Sequence, residues 1–178
     1  MPQPHGATEL RRYGQALARV AAQIGPVFAR QHGLHCYTGE WLESVVFKLQ
    51  KAAWANSALE AGPTDEGIFF SIWIDAPALR ERRALYNVHA LKLRKLAAYK
   101  LQSRKFADAF RQRFAPFRAS WPNVSIDHGP QTLMQGWIEI DPVHFERDVK
   151  TLAERFAAQH GIIDALLAPH KKPSESRS

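Results

Sequence analysis

The sequence contains a single cysteine, Cys36, and no run of apolar residues long enough to cross a membrane. One cysteine cannot form an internal disulfide, so a disulfide-stapled scaffold and a cysteine-rich zinc site are both excluded. A membrane-spanning helix needs about 20 mainly apolar residues, and the first residues also lack the apolar core of a secretion signal. These absences predict a cytoplasmic protein with no membrane partner.

Short motifs that mark the common enzyme classes are missing as well. The sequence has no phosphate-binding P-loop, no glycine pattern for dinucleotides, no paired-histidine metalloprotease motif, no Cys-x-x-Cys pair and no serine nucleophile elbow. Because each motif positions a reactive or phosphate-binding group, its absence argues against the corresponding chemistry. We expect no cofactor and favour a non-catalytic protein, although enzymes without short motifs are plentiful.

Length and composition are those of one folded unit. The chain has 178 residues, of which 46% are hydrophobic and 23% charged, and these values are ordinary for a globular domain with its own core. We predict a single domain over residues 8–168, with a disordered start at 1–7 and a disordered polar tail at 169–178. The 15 arginines against 9 lysines suggest a bacterial source with a GC-rich genome.

The net charge of +7 is concentrated in one segment. Residues 80–118 hold 12 of the 24 Lys and Arg residues but only two of the 17 acids, Glu81 and Asp108, which gives this segment a charge of +10. The rest of the chain has 12 basic and 15 acidic residues and a charge of −3. Segregated positive charge attracts phosphate groups or an acidic surface if folding keeps it on one side of the molecule.

The C-terminal part of this basic segment predicts a helix with two different faces. Four phenylalanines recur at helical spacing over residues 103–117, and three arginines spaced seven residues apart form a second row. The phenylalanine face is expected to pack on a sheet, with the cations outside. The predicted residues for binding an anion or nucleic acid are Lys92, Arg94, Lys95, Lys100, Arg104, Lys105, Arg111 and Arg118.

Other segments also show clear periodicity. Residues 67–75 alternate apolar side chains on one face and are rich in β-branched and aromatic residues, which predicts a strand. Residues 133–141 predict another strand. Helices are predicted over residues 8–24, ending or kinking at Gly25-Pro26, and over residues 143–167.

Two segments fit both a helix and a strand. Residues 40–60 carry a helical apolar stripe and also an alternation in their middle, and we favour a strand over about 43–53 followed by a long loop. Residues 80–102 contain no glycine or proline that would interrupt a helix. A helix that continued to residue 115 would, however, be about three times the usual length, so we favour a strand over 84–95. The predicted fold class is therefore α+β, with a small, mainly antiparallel sheet of about four strands packed by three helices.

Glu139 and Asp141 are the candidates for a metal site. They lie two residues apart in a predicted strand and therefore point to the same face, where Asp75 or Asp127 could join them in binding Mg²⁺. The alternation of a half-buried strand explains the same pattern, so no metal site is assigned. The alternative function that follows from this pair is a metal-dependent phosphoryl hydrolase of the nuclease type.

The eight histidines lack the paired spacing of a zinc site, apart from His32 and His35 in a predicted loop. Asn87 and His89 are more informative, because they place two polar groups on an otherwise apolar strand face. Buried polar groups must be hydrogen-bonded. We interpret this pair as satisfied core residues or, alternatively, as a polar site.

Taken together, the sequence favours a binding protein over an enzyme. The predicted function is a non-catalytic module whose segment 80–118 engages nucleic acid or an acidic protein surface. The five tryptophans offer surfaces on which bases could stack, although most large aromatic residues pack in protein cores. A further alternative is a protein–protein adaptor or inhibitor, which the sequence neither supports nor excludes.

Overall fold

Five strands form one antiparallel sheet in the spatial order β1-β2-β3-β4-β5, so each strand pairs with its neighbour in sequence. The structure is a computed structural model that describes residues 4–56 and 66–173. The strands are His35–Trp41 (β1), Ser44–Gln50 (β2), Gly67–Ile74 (β3), Arg83–Leu91 (β4) and Thr132–Glu139 (β5). The α-helices of the described part are Pro4–His32 (α1), Ala76–Arg80 (α2), Ser103–Phe114 (α3), Phe145–Gln159 (α4) and Gly161–Leu167 (α5). The predicted single α+β domain is confirmed, with five strands instead of about four.

One face of the sheet carries the hydrophobic core. Phe47, Phe70 and Tyr86 on the central strands are fully buried. Helix α1 packs on β1 and β2, and α3 packs on β5. Helix α4 covers the centre, where Phe156 stacks on Phe70 with the ring centroids 4.7 Å apart. The core therefore lies between this face and the helices.

Helix α1 runs without a break through Gly25-Pro26, where the sequence predicts an end or a kink. A proline inside a helix removes one backbone hydrogen bond and crowds the preceding turn. Ile24 and Phe28 on either side are buried in the core, and their burial offsets that cost. The helix ends at His32, and Gly33 directly after it has a φ of 65°, in the left-handed region that favours glycine.

Strand β1 is missed by the sequence-based prediction, which places the residues around His35 and Cys36 in a loop. Its sequence, HCYTGEW, has few large aliphatic residues. Among the described strands β1 lies at the edge of the sheet and pairs with β2 alone, so no second neighbouring strand constrains its sequence. The next strand is as predicted, since β2 lies within the favoured range 43–53.

Residues 80–102, which fit both a helix and a strand, form a strand over Arg83–Leu91. This strand ends four residues before the predicted end at residue 95. Lys92 is in the left-handed conformation with a φ of 51°, and Leu93–Lys95 form a 3-10 turn. Helix α3 begins at Ser103, as predicted, and ends at Phe114 instead of residue 117, with Gln102 at its N-cap position. Most of the long loop predicted after β2, residues 57–65, lies outside the described residues.

The phenylalanine stripe packs as expected for its first three members. Phe106, Phe110 and Phe114 are buried, while Phe117 is 42% exposed in the 3-10 turn that follows α3. The helix predicted over residues 143–167 consists of two helices that meet at His160. Across the described ranges, no helix is long and apolar enough to cross a membrane.

Both predicted disordered ends need correction where they fall within the described residues. Helix α1 begins at Pro4, so residues 4–7 are helical. At the other end Ala168–His170 form a 3-10 turn, and Lys171 makes a β-bridge with Tyr99. Residues 1–3 and 174–178 lie outside the described residues.

Candidate functional site

The basic residues of segment 80–118 do not all belong to one site. They fall into a group at the start of β4, a single arginine held by the chain's own backbone, a group around a pocket, and exposed residues elsewhere. Arg104 and Arg118 belong to the last group. The clustering seen in the sequence is therefore kept only in part by the fold.

Arg111 does not point outward, as the sequence-based prediction assumed. Its Nε donates to the carbonyl oxygen of Leu133 at 3.2 Å. Its Nη2 donates to the carbonyl oxygens of His128, Gly129 and Thr132 at 2.9–3.0 Å. A guanidinium has five N–H donors in a planar fork. Here the Nε–H and the two N–H groups of Nη2, which are shared among three carbonyls, tie helix α3 to the turn before β5 and to the first residues of β5. Arg111 is therefore a structural residue, and we remove it from the candidate anion site.

The cations at the start of β4 are also engaged locally. Arg82 Nη2 donates to the carbonyl oxygen of Ile140 at 3.3 Å. Arg83 lies over the ring of Trp137, with its Cζ 4.0 Å from the ring centroid, and Nη1 is 3.5 Å from Glu81 Oε2. These residues stabilise the pairing of β4 with the end of β5.

A pocket at the other end of β4 brings several cations together. Its volume is about 490 Å³. Five of its lining side chains are basic, and we call the cavity they surround the basic pocket: Arg94, Lys100, Lys105, His170 and Lys172. All five are exposed, and none of the lining residues is acidic. The arrangement leaves a concave surface of one charge sign.

The wall of the basic pocket is built from three segments that are fixed to one another. The 3-10 turn that carries Arg94 is anchored by Leu93, which is fully buried. Asn56 holds the chain after the turn, because its Nδ2 donates to the carbonyl oxygen of Lys95 at 2.6 Å and its Oδ1 accepts from the Ala97 N–H at 2.7 Å. These bonds fix the backbone from which the cations extend.

The C-terminal segment closes the basic pocket. The Lys100 N–H donates to the carbonyl oxygen of His170 at 2.9 Å, and the Lys172 N–H donates to that of Ala98 at 2.9 Å. This pairing brings His170 and Lys172 beside Lys100 and Lys105. Sequence analysis missed His170 and Lys172 because it assigned them to a disordered tail, and no pattern in the tail indicates the pairing.

The remaining predicted anion-binding residues lie outside this lining. Lys92 is exposed just before the turn that carries Arg94, and Lys95 is exposed in that turn. Arg104 is exposed on α3, and Arg118 is exposed in the turn after it. Of the eight predicted residues, the structure thus brings together Arg94, Lys100 and Lys105.

No family model matches the chain, and neither does any curated protein or solved structure. Its function has to be inferred from its own residues.

The two carboxylates proposed as a metal pair lie elsewhere, along a cavity of about 620 Å³ that also contains Arg82, Asp148 and Arg155. Asp141 lies past the end of β5, and Ile140 between the two acids is buried. The Asp141 carboxylate accepts from His144 Nδ1 at 2.7 Å and from the Val143 N–H at 3.0 Å, and these two bonds lower its pKa. Within residues 4–56 and 66–173, no three His, Cys, Asp or Glu side chains are placed to hold a metal ion.

Asn87 and His89 form a hydrogen-bonded chain across the sheet face that is turned away from the helices. Ser71 Oγ donates to Asn87 Oδ1 at 2.6 Å, so the Asn87 amide nitrogen faces His89 Nε2, which it approaches to 2.6 Å. His89 Nε2 must therefore accept, and the ring proton lies on Nδ1, toward the carbonyl oxygen of Gln131. Asn87 is fully buried, and its amide satisfies the requirement that a buried polar group be hydrogen-bonded.

The environment of His89 predicts a stability that depends on pH. Burial lowers the pKa of His89, nearby Lys48 lowers it further, and the Gln131 carbonyl acts in the opposite direction. Because the folded pKa lies below the ordinary value of about 6.5, the unfolded state binds the proton first as pH falls. The stabilisation is complete above about pH 6.5 and is lost at lower pH.

We expect the urea midpoint to fall between pH 7.5 and pH 5, and to fall less in a His89→Gln variant, whose side chain does not titrate. His32, whose pKa is lowered by burial and by His160 and Lys51, keeps its own contribution in that variant. An equal fall in the variant and the unaltered chain would show that His89 does not contribute.

His32, His35, His160 and Cys36 have surroundings typical of structural residues. The rings of His32 and His160 lie 5.1 Å apart, while His35 is exposed at the start of β1. Burial raises the pKa of the Cys36 thiol to about 12, so the thiolate form that reacts is scarce at neutral pH. None of these groups forms an evident reactive site.

The five tryptophans divide into two sets. Trp54 and Trp121 are buried in the core. Trp41, Trp73 and Trp137 are partly exposed, and strand register places them on the face opposite the helices, with Trp73 and Trp137 on either side of Leu85. This face therefore presents indole rings to solvent.

Proposed function

We propose that this chain is a non-catalytic module that binds nucleic acid through phosphate groups at the basic pocket. The observation that carries the proposal is the composition of the pocket wall, which has four Lys and Arg side chains, one histidine and no carboxylate. A concave surface lined by one sign of charge raises the local concentration of oppositely charged ligands. Phosphate oxygens are the strong acceptors that Lys and Arg donors fit.

The partly exposed tryptophans support nucleic acid over an acidic protein as the partner. Each base has a flat aromatic face, and stacking of a base on an aromatic side chain contributes about 1–3 kcal/mol. Trp41 and Trp73 lie on the sheet face opposite the helices, at the end of the sheet where β4 starts, while Trp137 is covered by Arg83. The basic pocket lies at the other end of β4, so the bases that stack on these rings would belong to a part of the nucleic-acid strand beyond the bound phosphate. An acidic protein surface would use the cations of the pocket but would have less use for these rings.

Binding through phosphates predicts little sequence preference and a strong dependence on salt. Contacts to the phosphate backbone carry no base information, and each phosphate that is neutralised releases condensed counterions. We expect fluorescence anisotropy with labelled single-stranded and duplex oligonucleotides to show affinity at about 20 mM salt that falls steeply toward about 200 mM. Absence of binding to every oligonucleotide at low salt would refute the proposal.

Charge reversal in the basic pocket tests where binding occurs. We expect Lys100→Glu and Lys105→Glu each to weaken binding about tenfold and to reduce the salt slope by about one contact or more. Arg12→Glu is the matched control, because Arg12 is equally exposed but lies on α1, outside the pocket. If all three variants bind the oligonucleotides with equal affinity, the basic pocket is not the binding site.

A further inference from the structure

The basic pocket differs from the surface that a continuous phosphate backbone requires. A strand that passes over a protein needs cations spread along its path, because successive phosphates are separated along the chain. Here five basic side chains surround a single cavity of about 490 Å³. From this convergence we infer that the basic pocket receives the terminal phosphate of a nucleic-acid strand. The inference rests on the proposed function and specifies which part of the strand is bound.

The number of donors fits a terminal phosphate better than an internal one. A phosphodiester carries one negative charge, whereas a phosphomonoester carries about −1.5 to −2 at pH 7 and has three strong acceptor oxygens. Arg94, Lys100, Lys105 and Lys172 supply four positive charges around the cavity. The additional charge and the third oxygen of a phosphomonoester match this excess of donors.

The floor of the pocket fits the nucleoside that carries such a phosphate. Leu101, Phe106, Ala109 and Leu166 contribute apolar lining. The volume lies within the range of about 300–1,000 Å³ that is usual for small-ligand sites, so a terminal nucleotide can enter. The exposed cations provide a contact for the phosphate, and the buried side chains of Leu101 and Phe106 provide another for the sugar and base.

None of the side chains that line the basic pocket is a carboxylate. No lining side chain therefore competes with the phosphate for the cations. The first turn of α3, which contributes Lys105, also contains no acidic residue, and no side chain caps its backbone N–H groups. The partial positive charge of that turn adds to the field of the side chains. The inference depends on the cavity and its cations, and the helix end only reinforces them.

The test compares two single-stranded oligonucleotides of the same sequence that differ only in a 5′-phosphate or a 5′-hydroxyl, with the fluorophore on the 3′ end. A second pair places the difference at the 3′ end. We expect the phosphorylated member of one pair to bind about tenfold more tightly, as one additional charge-assisted contact would give. In Lys105→Gln this preference should fall to about twofold, whereas Arg12→Gln should keep it.

The outcomes separate the inference from the proposed function. Salt-dependent binding with equal affinity for both members of each pair would overturn the inference and leave the proposed function standing. Loss of affinity without loss of the preference in Lys105→Gln would also overturn it, because the preference would then arise outside the basic pocket. No binding of any oligonucleotide would overturn both. Circular dichroism of each variant excludes misfolding as the cause of an altered preference.

Discussion

Replacing Arg111 with alanine is expected to destabilise the protein by about 3 kcal/mol. Three N–H groups of the guanidinium, one on Nε and two on Nη2, donate to the carbonyl oxygens of four residues, namely His128, Gly129, Thr132 and Leu133. Hydrogen bonds to a charged group contribute about 1.5–3 kcal/mol each in net stability, and a partly buried acceptor left without a donor adds its own cost. Water can reach some of these carbonyls once the side chain is removed, so the four contributions do not add in full.

Urea denaturation of Arg111→Ala and Arg104→Ala measures this effect with a matched control. Arg104 is on the same helix and is exposed, and substitution of an exposed residue usually changes stability by less than about 0.5 kcal/mol. Arg111→Lys is expected to lie close to the alanine variant, because an ammonium group cannot reproduce the planar fork. A loss below about 1 kcal/mol for Arg111→Ala would show that the bonds are replaced by water at little cost.

Arg111 also shows why segregation of charge in the sequence does not transfer directly to the surface. Periodicity placed Arg104, Arg111 and Arg118 in one row, and the phenylalanine face of α3 is buried as that periodicity predicts. Periodicity gives the direction of a side chain from its own helix but contains no information about what lies there. The turn before β5 reaches Arg111 and not Arg104, and that contact joins residues about 20 positions apart.

A sequence pattern records what a residue's own strand or helix requires and not which distant segment will contact it. This explains why the sequence predicts β3 but misses β1. Strand β3 is paired on both edges, with β2 and β4, and seven of its eight residues are buried, so both its edges and its faces constrain its residues and its pattern is clear. Strand β1 has one free edge and carries no comparable pattern. In the proposed site, Lys100 and Lys105 come from the basic segment recognised in the sequence. His170 and Lys172 join them only through backbone hydrogen bonds of the tail, and a backbone pairing of this kind leaves no mark on side-chain composition.

Gly67→Ala is expected to be the most destabilising single substitution considered for this chain, at about 2–5 kcal/mol. Gly67 begins β3 with a φ of 91°, a conformation that costs a residue with a Cβ roughly 1–2 kcal/mol. The added Cβ would overlap the carbonyl oxygen of Trp54 and would lie 3.2 Å from the Cα of Ala55. Both are backbone atoms of the turn that carries the buried Trp54 ring, so they cannot move aside without disturbing the core, and overpacking of that kind costs about 1–3 kcal/mol.

Gly129→Ala supplies the control for Gly67→Ala. No heavy atom lies within 4 Å of a Cβ added at Gly129, and its backbone does not have a positive φ. Both substitutions thus reduce the conformational entropy of the unfolded chain by the same amount, and they differ only in their effect on the folded state. Thermal unfolding should give a melting temperature for Gly67→Ala about 10 °C below that of Gly129→Ala, since 1 kcal/mol corresponds to about 2–4 °C for a domain of this size. Equal melting temperatures would mean that the turn at Trp54 can move away from β3. The close backbone contact at Gly67 would then not exclude a side chain at this position.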